Sequence, residues 1–333
     1  MKNGIIRKCV AGLSVTAALA LCACNTSPIS VTFDTERPWR GEGETVGYEK
    51  LDYEVTIYDV TAGNDDAHRI PIADGSLTYT LAENIETRDS IGYSSVDMSF
   101  SVTYNAAAPE KDRGLTDSIV SHTLFQTNSL DTSEMQKEVK LASRPNAENL
   151  SYKITADYFG EHTASFIYTQ KDDAKESTLS IPKSTYCDNE MMFHLARATA
   201  LADGSTLNFY MTNLFQAFSE NKLQNYTMMA QVNSMQTLDL PVLKDYGVEQ
   251  VVSEEDGSIS YPVSCYYTSI MPNIERHGPP YYVYYTEKPL TANGKEHKKV
   301  PVMMVFNEYT GSKLVRITEY ALVACDFASP TEN

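Results

Sequence analysis

Apolar and polar residues alternate along most of the chain. Leu51, Tyr53, Val55 and Ile57 are separated by Asp52, Glu54 and Thr56, the period of two that a half-buried strand requires. The same period runs through Val96, Met98, Phe100, Val102 and Tyr104, and again through Leu150, Tyr152, Ile154, Ala156 and Tyr158. Turn pairs punctuate these stretches at Asp74-Gly75, Asp203-Gly204, Asp256-Gly257, Asn293-Gly294 and Thr310-Gly311. Residues 105–118, with Pro109 and Gly114, read as a loop, and 128–149 as a polar connection with room for one helical turn.

One segment departs from the strand period. From about 188 to 201, Met191, Met192, Leu195 and Ala198 recur at the spacing of one helix face. Asp188 or Asn189 supplies an N-cap, Glu190 lies in the first turn, where a carboxylate favours the helix dipole, and Asp203-Gly204 ends the helix. Three later runs are continuously apolar: 281–285, 302–306 and 320–325. Neighbours in a strand point to opposite faces, so such runs predict cover on both sides. The expected fold is mainly antiparallel β, a curved sheet or partly closed barrel with one helix at about 188–201 packed against it. Residues 48–149 are an N-terminal β region, either part of the same sheet or a small separate module, and 150–328 a C-terminal β domain.

The N-terminus follows a different logic. Lys2, Arg7 and Lys8 precede an apolar stretch from Cys9 to Leu21, which ends in Leu21-Cys22-Ala23-Cys24. The stretch has the length of a signal-peptide core, roughly 7–15 residues, and is short of the ~20 that a spanning helix needs. This arrangement resembles a bacterial lipoprotein precursor. Leu21, Cys22 and Ala23 stand where that family has an aliphatic, a tolerant and a small residue, and Cys24 matches its lipidated cysteine. The resemblance implies signal cleavage between Ala23 and Cys24, with a thioether-linked diacylglycerol on Cys24. It further implies an extracytoplasmic protein held on a bacterial membrane by its lipid. Residues 24–47, rich in Thr, Ser, Pro, Glu and Gly, read as a flexible tether. Gly41-Glu42-Gly43 with Gly47 has the wrong spacing for a phosphate loop.

Charge narrows the partners. The net charge is −17, and the first 23 residues hold three bases and no acid, so the remainder carries −20. A body of that sign is repelled by phosphate backbones, which excludes nucleic acid as a partner.

A second resemblance covers roughly 150–326. Tyr186-Cys187-Asp188 leading into a helix with Arg197, then Val300-Pro301-Val302 and a turn at Gly311 before Leu314, is similar to exported bacterial proteins of the domain of unknown function 3108 family. That likeness implies a curved sheet with a helix against it and no assigned activity.

Candidate chemistry is sparse. No two of the six histidines, His68, His122, His162, His194, His277 and His297, are closer than 20 residues, so no metal spacing occurs and no metal or cofactor is expected. Asn64-Asp65-Asp66 and Asp172-Asp173 read as solvated turns. Glu190 and His194, four apart on the predicted helix, are the weak catalytic candidates, as a carboxylate orienting an imidazole or as a helix-surface pair. Cys187, Cys265 and Cys325 permit one disulfide, of which Cys265–Cys325 is the candidate, although both read as buried free thiols. Tyr266-Tyr267 and the tyrosines of 281–285 offer stacking faces or walls for an amphiphile, or ordinary strand packing. The expected function is non-catalytic binding of an envelope component, apolar ligand or partner protein. The alternatives are an envelope hydrolase acting on glycan or peptide, and a structural spacer or adhesion subunit.

Overall fold

The computed structural model describes residues 47–61, 68–142, 150–159, 163–170, 173–181, 186–187, 190–197, 204, 206–213, 224–272 and 281–328. The residues before 47, including Ala23 and Cys24 and those expected to form a signal and tether, lie outside them, as do Asn64-Asp65-Asp66, Asp172, His162 and His277.

The strands of the first half are β1 (Tyr48–Asp59), β2 (Ile70–Arg88), β3 (Ile91–Tyr104), β4 (Thr116–Gln126) and β5 (Thr132–Leu141). They are followed by β6 (Leu150–Phe159), β7 (Thr163–Gln170), β8 (Asp173–Ser180) and β9 (Tyr186–Cys187). A short helix, α1 (Met192–Arg197), precedes β10 (Thr206–Asn213), β11 (Gln224–Asp239), β12 (Val251–Val252), β13 (Ile259–Ser260) and β14 (Pro262–Pro272). The chain then forms β15 (Tyr281–Thr286), β16 (Leu290–Ala292), β17 (Lys295–His297), β18 (Pro301–Thr310) and β19 (Lys313–Asp326). Fifteen of these strands make one sheet, ordered β8-β7-β6-β5-β4-β3-β2-β1-β19-β18-β15-β14-β11-β10-β9. Every pairing in it is antiparallel except β9 with β10.

The order of strands makes curvature unavoidable. The chain leaves the middle of the sheet at β1, reaches one edge at β8, resumes at the opposite edge with β9, and returns to pair β19 with β1. Fifteen flat strands at ~4.8 Å would span about 67 Å. Ser180 and Tyr186 are only six positions apart, a reach of about 20 Å. The sheet therefore curls until its edges approach. The Tyr186 ring of β9 stacks on Tyr158 of β6, with centroids 5.7 Å apart and planes at 16°.

The helix sits inside the curl. Its six residues, and Met191 before them, are all buried. The Tyr285 hydroxyl of β15 donates to the Phe193 carbonyl at 2.8 Å, the Phe193 ring stacks on Phe306 of β18 at 5.4 Å, and His194 lies against Phe125 of β4 at 5.3 Å. Inward rows such as Leu51, Tyr53, Val55 and Ile57 surround it. A second cluster, including Met135, Ile154, Ala156 and Phe166, fills the interior near β5–β7.

Several expectations change here. The described helix is Met192–Arg197, with Glu190 before it, and 188–189 and 198–201 of the expected helix lie outside the described residues. Residues 132–141 of the expected polar connection form β5, paired on both sides. The apolar runs differ in cover: in β15 the successive residues Val283, Tyr284 and Tyr285 are all buried, as expected, whereas β18 and β19 leave one face more open. In β18, Val302 and Met304 are buried and Met303 and Val305 half-buried, while Val323 of β19 is 50% exposed. Asp74-Gly75 is no turn but lies within β2, where Gly75 opposes Val102. Asn293-Gly294 does turn between β16 and β17, with both residues at positive φ. Residues 48–149 and 150–328 contribute to the same sheet, joined by β5–β6 and β1–β19.

Candidate functional site

Two of the buried polar groupings lie beside α1. In the first, Glu49 occupies the inward row of β1, which otherwise holds Leu51, Tyr53 and Val55. Arg197, in the last turn of α1, donates to it through Nη1 at 2.5 Å and Nη2 at 3.1 Å, and Nη2 also donates to the Lys298 carbonyl at 2.7 Å. His297 Nδ1 lies 2.9 Å from Glu49 Oε1. Burial alone raises a carboxyl's pKa, but Arg197 and His297 together hold that of Glu49 down at about 2. Glu49 is thus an acceptor at neutral pH, and His297 Nδ1 is the donor. Phe327 packs on the His297 ring at 4.1 Å, and the edge of Phe327 meets Tyr246. These neighbours surround the pair with protein, which makes Glu49, Arg197 and His297 a structural tie.

The second grouping borders open space. Beside α1 lies a pocket of about 300 Å³, walled by Leu77, Met98, Phe100, Ile119, Met192, Phe193, Tyr281, Met304, Phe306 and Tyr320. Among the described residues that line it, the charged ones are Lys137 and Glu190, which form an ion pair with side chains 8% and 6% exposed. Lys137 projects inward from β5 between Met135 and Val139, because alternate residues of a strand share a face. The outward residues of that strand include Glu138 and Lys140, which pair with each other, and Glu138 also binds Lys153. Burial raises the pKa of the Tyr281 hydroxyl, with the Lys137 cation opposing that rise and the Glu190 carboxylate adding to it. The pocket therefore has an aromatic and thioether body with one ionic end.

The two weak catalytic candidates each have another partner. Glu190 precedes α1 and pairs with Lys137. His194 packs on Phe125, and the carboxylate acting on it is that of Glu49. Burial, reinforced by the Arg197 cation, pushes its pKa down to about 3, so it is neutral. Cys187, Cys265 and Cys325 are free thiols, with no bridge between Cys265 and Cys325. Burial raises Cys265 to about 12 and Cys325 to about 11. Tyr267 and Tyr282 stack on each other at 5.2 Å, and Tyr281 lines the pocket. Sequence reasoning passed over Lys137, Glu49 and His297. The one available signal was a lone lysine between Met135 and Val139, which becomes meaningful only once that segment is known to be a strand.

Among the described residues no group of three or more His, Cys, Asp or Glu is placed to hold a metal ion, and no helix is long and apolar enough to cross a membrane. Comparison of the chain with protein-family models, with curated proteins and with solved structures yields no match, so the likeness of residues 150–326 to an exported family gains no support from them.

Proposed function

We propose that the chain is an exported, lipid-anchored binding protein that holds a small ligand with an apolar body in the pocket beside α1, without transforming it. The observation that carries the binding reading is the 300 Å³ pocket, lined by four Phe or Tyr rings of the sheet together with Phe193 and three methionines. That volume is at the lower end of the range for small-molecule sites, ~300–1,000 Å³. Methionine and aromatic walls suit a ligand bearing a ring, through sulfur–ring and edge-to-face contacts. The anchor reading rests on Leu21-Cys22-Ala23-Cys24 behind a basic and apolar leader.

Magnitudes indicate what such a pocket needs. Burying an aromatic body of ~150–250 Å² contributes about 4–6 kcal/mol at ~25 cal/mol per Å². Association costs at least ~4 kcal/mol in lost freedom. Apolar contact alone therefore leaves millimolar or weaker binding. Useful affinity has to come from the polar end.

Native mass spectrometry of the mature chain, gently extracted, tests the binding reading. A co-purifying small molecule lost from a variant with Met98→Trp is expected. No bound species, together with no calorimetric response to any apolar probe, would refute it. For the anchor, Cys24→Ala should move the protein from the detergent to the aqueous phase on partitioning, and retention in detergent would contradict lipidation.

A further inference from the structure

We infer that the pocket selects a zwitterion with an aromatic body, the chemistry of a large apolar α-amino acid, with Lys137 taking its carboxylate and Glu190 its ammonium. This rests on the binding reading above and adds the identity of the ligand's polar end.

The argument begins with charge balance. Lys137 and Glu190 form a neutral pair at the edge of an otherwise apolar pocket. An ion pair so placed is a poor source of stability, because desolvation offsets its attraction, and a pair of apolar side chains would fill the same space at less cost. Its usefulness is in recognition. A singly charged ligand would bring an uncompensated charge into low dielectric, whichever sign it carried. A zwitterion brings none: each of its ends meets the opposite charge, and the four groups alternate in sign. The lysine ammonium has three donors and a carboxylate several acceptor sites, so each can hold its partner and a ligand atom at once. The Tyr281 hydroxyl, close enough to feel both charges, adds a further donor or acceptor at the same end.

Size and lining point the same way. About 300 Å³ accommodates one aromatic side chain with its α-carbon and two charged groups, and is small for a two-chain lipid. Phe193 and Phe306, already stacked on each other at 5.4 Å, and Tyr281, edge-on to Phe306 at 5.0 Å, present ring faces and edges to the body of such a ligand.

A series with one body and four heads tests this by isothermal titration calorimetry on the mature chain: L-tryptophan, indole-3-propionate, tryptamine and 3-methylindole. L-tryptophan should bind at least ten-fold tighter than each of the other three. Lys137→Met with Glu190→Leu removes both charges together and should keep the fold, read by thermal melting. It should abolish the preference for tryptophan while binding 3-methylindole as well as before or better. Exchanging the charges, with Lys137→Glu and Glu190→Lys, should retain the preference for the zwitterion over either single ion. If 3-methylindole binds and tryptophan gains nothing over it, the inference is overturned and the binding reading survives. If none of the four binds, the binding reading fails with it.

Discussion

Arg197 of the buried helix grips Glu49 of the first strand through two hydrogen bonds across 148 positions of sequence. The pair ties α1 to the middle of the sheet, next to the seam where β1 meets β19. Arg197 is fully buried, and Lys298 and His297 complete the cluster from the segment entering β18. The described residues of the helix are Met192–Arg197, and short helices are marginal in water without tertiary packing. Its position is held by this tie and by the rings around Phe193.

Removing one partner leaves the other as an uncompensated buried charge. Arg197→Met should therefore destabilise the protein by about 3–5 kcal/mol in urea unfolding. Glu49→Leu combined with Arg197→Met should cost clearly less than the single Arg197 variant, because no charge is stranded. Equal losses for the two would contradict the account.

Acid stability should depend on His194. Its pKa falls from the ordinary 6.5 to about 3 in the folded state, chiefly through burial beside the Phe125 ring, with the Arg197 cation reinforcing the fall and the Glu49 carboxylate opposing it. The unfolded chain takes up a proton below pH 6.5 that the folded chain refuses until about pH 3. Stability is therefore whole above 6.5 and drains as the pH falls, at up to ~1.4 kcal/mol per pH unit. Glu49, whose pKa is depressed, contributes stability above 4.5 that is lost only on approach to about 2. Between pH 6 and 5 the histidine dominates of these two. Urea midpoints at pH 7, 6 and 5 should show a loss of about 1 kcal/mol over that last unit, absent in His194→Gln. The same slope in the variant would exclude this origin.

Gly75 permits two strands to approach closely. A Cβ built on it would stand 2.0 Å from the Ser101 carbonyl oxygen and 2.6 Å from Val102 Cα, both backbone atoms of β3. Those atoms cannot rotate aside as a side chain can. Gly75→Ala should lower stability by about 2 kcal/mol or more, at the upper end of ordinary single substitutions. Thermal melting against the unaltered chain measures it, and an unchanged midpoint would show that β2 and β3 separate freely.

The thiols should be slow to react. Burial holds Cys265 at about 12 and Cys325 at about 11, so little thiolate exists at pH 8. In the mature chain a thiol reagent should leave Cys187 and Cys265 unmodified until urea is added, with Cys325, half-buried, the first to respond. Rapid modification of Cys265 under native conditions would contradict its burial.

The alternation through Leu51–Ile57, Val96–Tyr104 and 150–158 was legible because strand period is a local property, and each of those stretches is a strand. β5 was not. Its inward row reads Met135, Lys137, Val139, and a lysine between two apolar residues breaks the expected alternation. The residue that gives the pocket its charge is the one that concealed the strand bearing it. Glu190 was noticed for its spacing to His194, yet its partner is Lys137, 53 positions away. The apolar runs signalled two covered faces, which holds at Val283–Tyr285 of β15, whereas in β18 the curl covers one face and leaves Met303 and Val305 half-buried outside.

By itself the sequence determined the strand content, the helix near 192–197 and the net acidic charge, which depend on composition and on neighbours within a few residues. Only the tertiary structure decided that the sheet's edges converge, that Glu49 meets Arg197, and that Lys137 pairs with Glu190 beside an aromatic pocket. Those relationships join residues 50 to 250 positions apart, and no local pattern encodes a distance that arises only when fifteen strands curl around a helix.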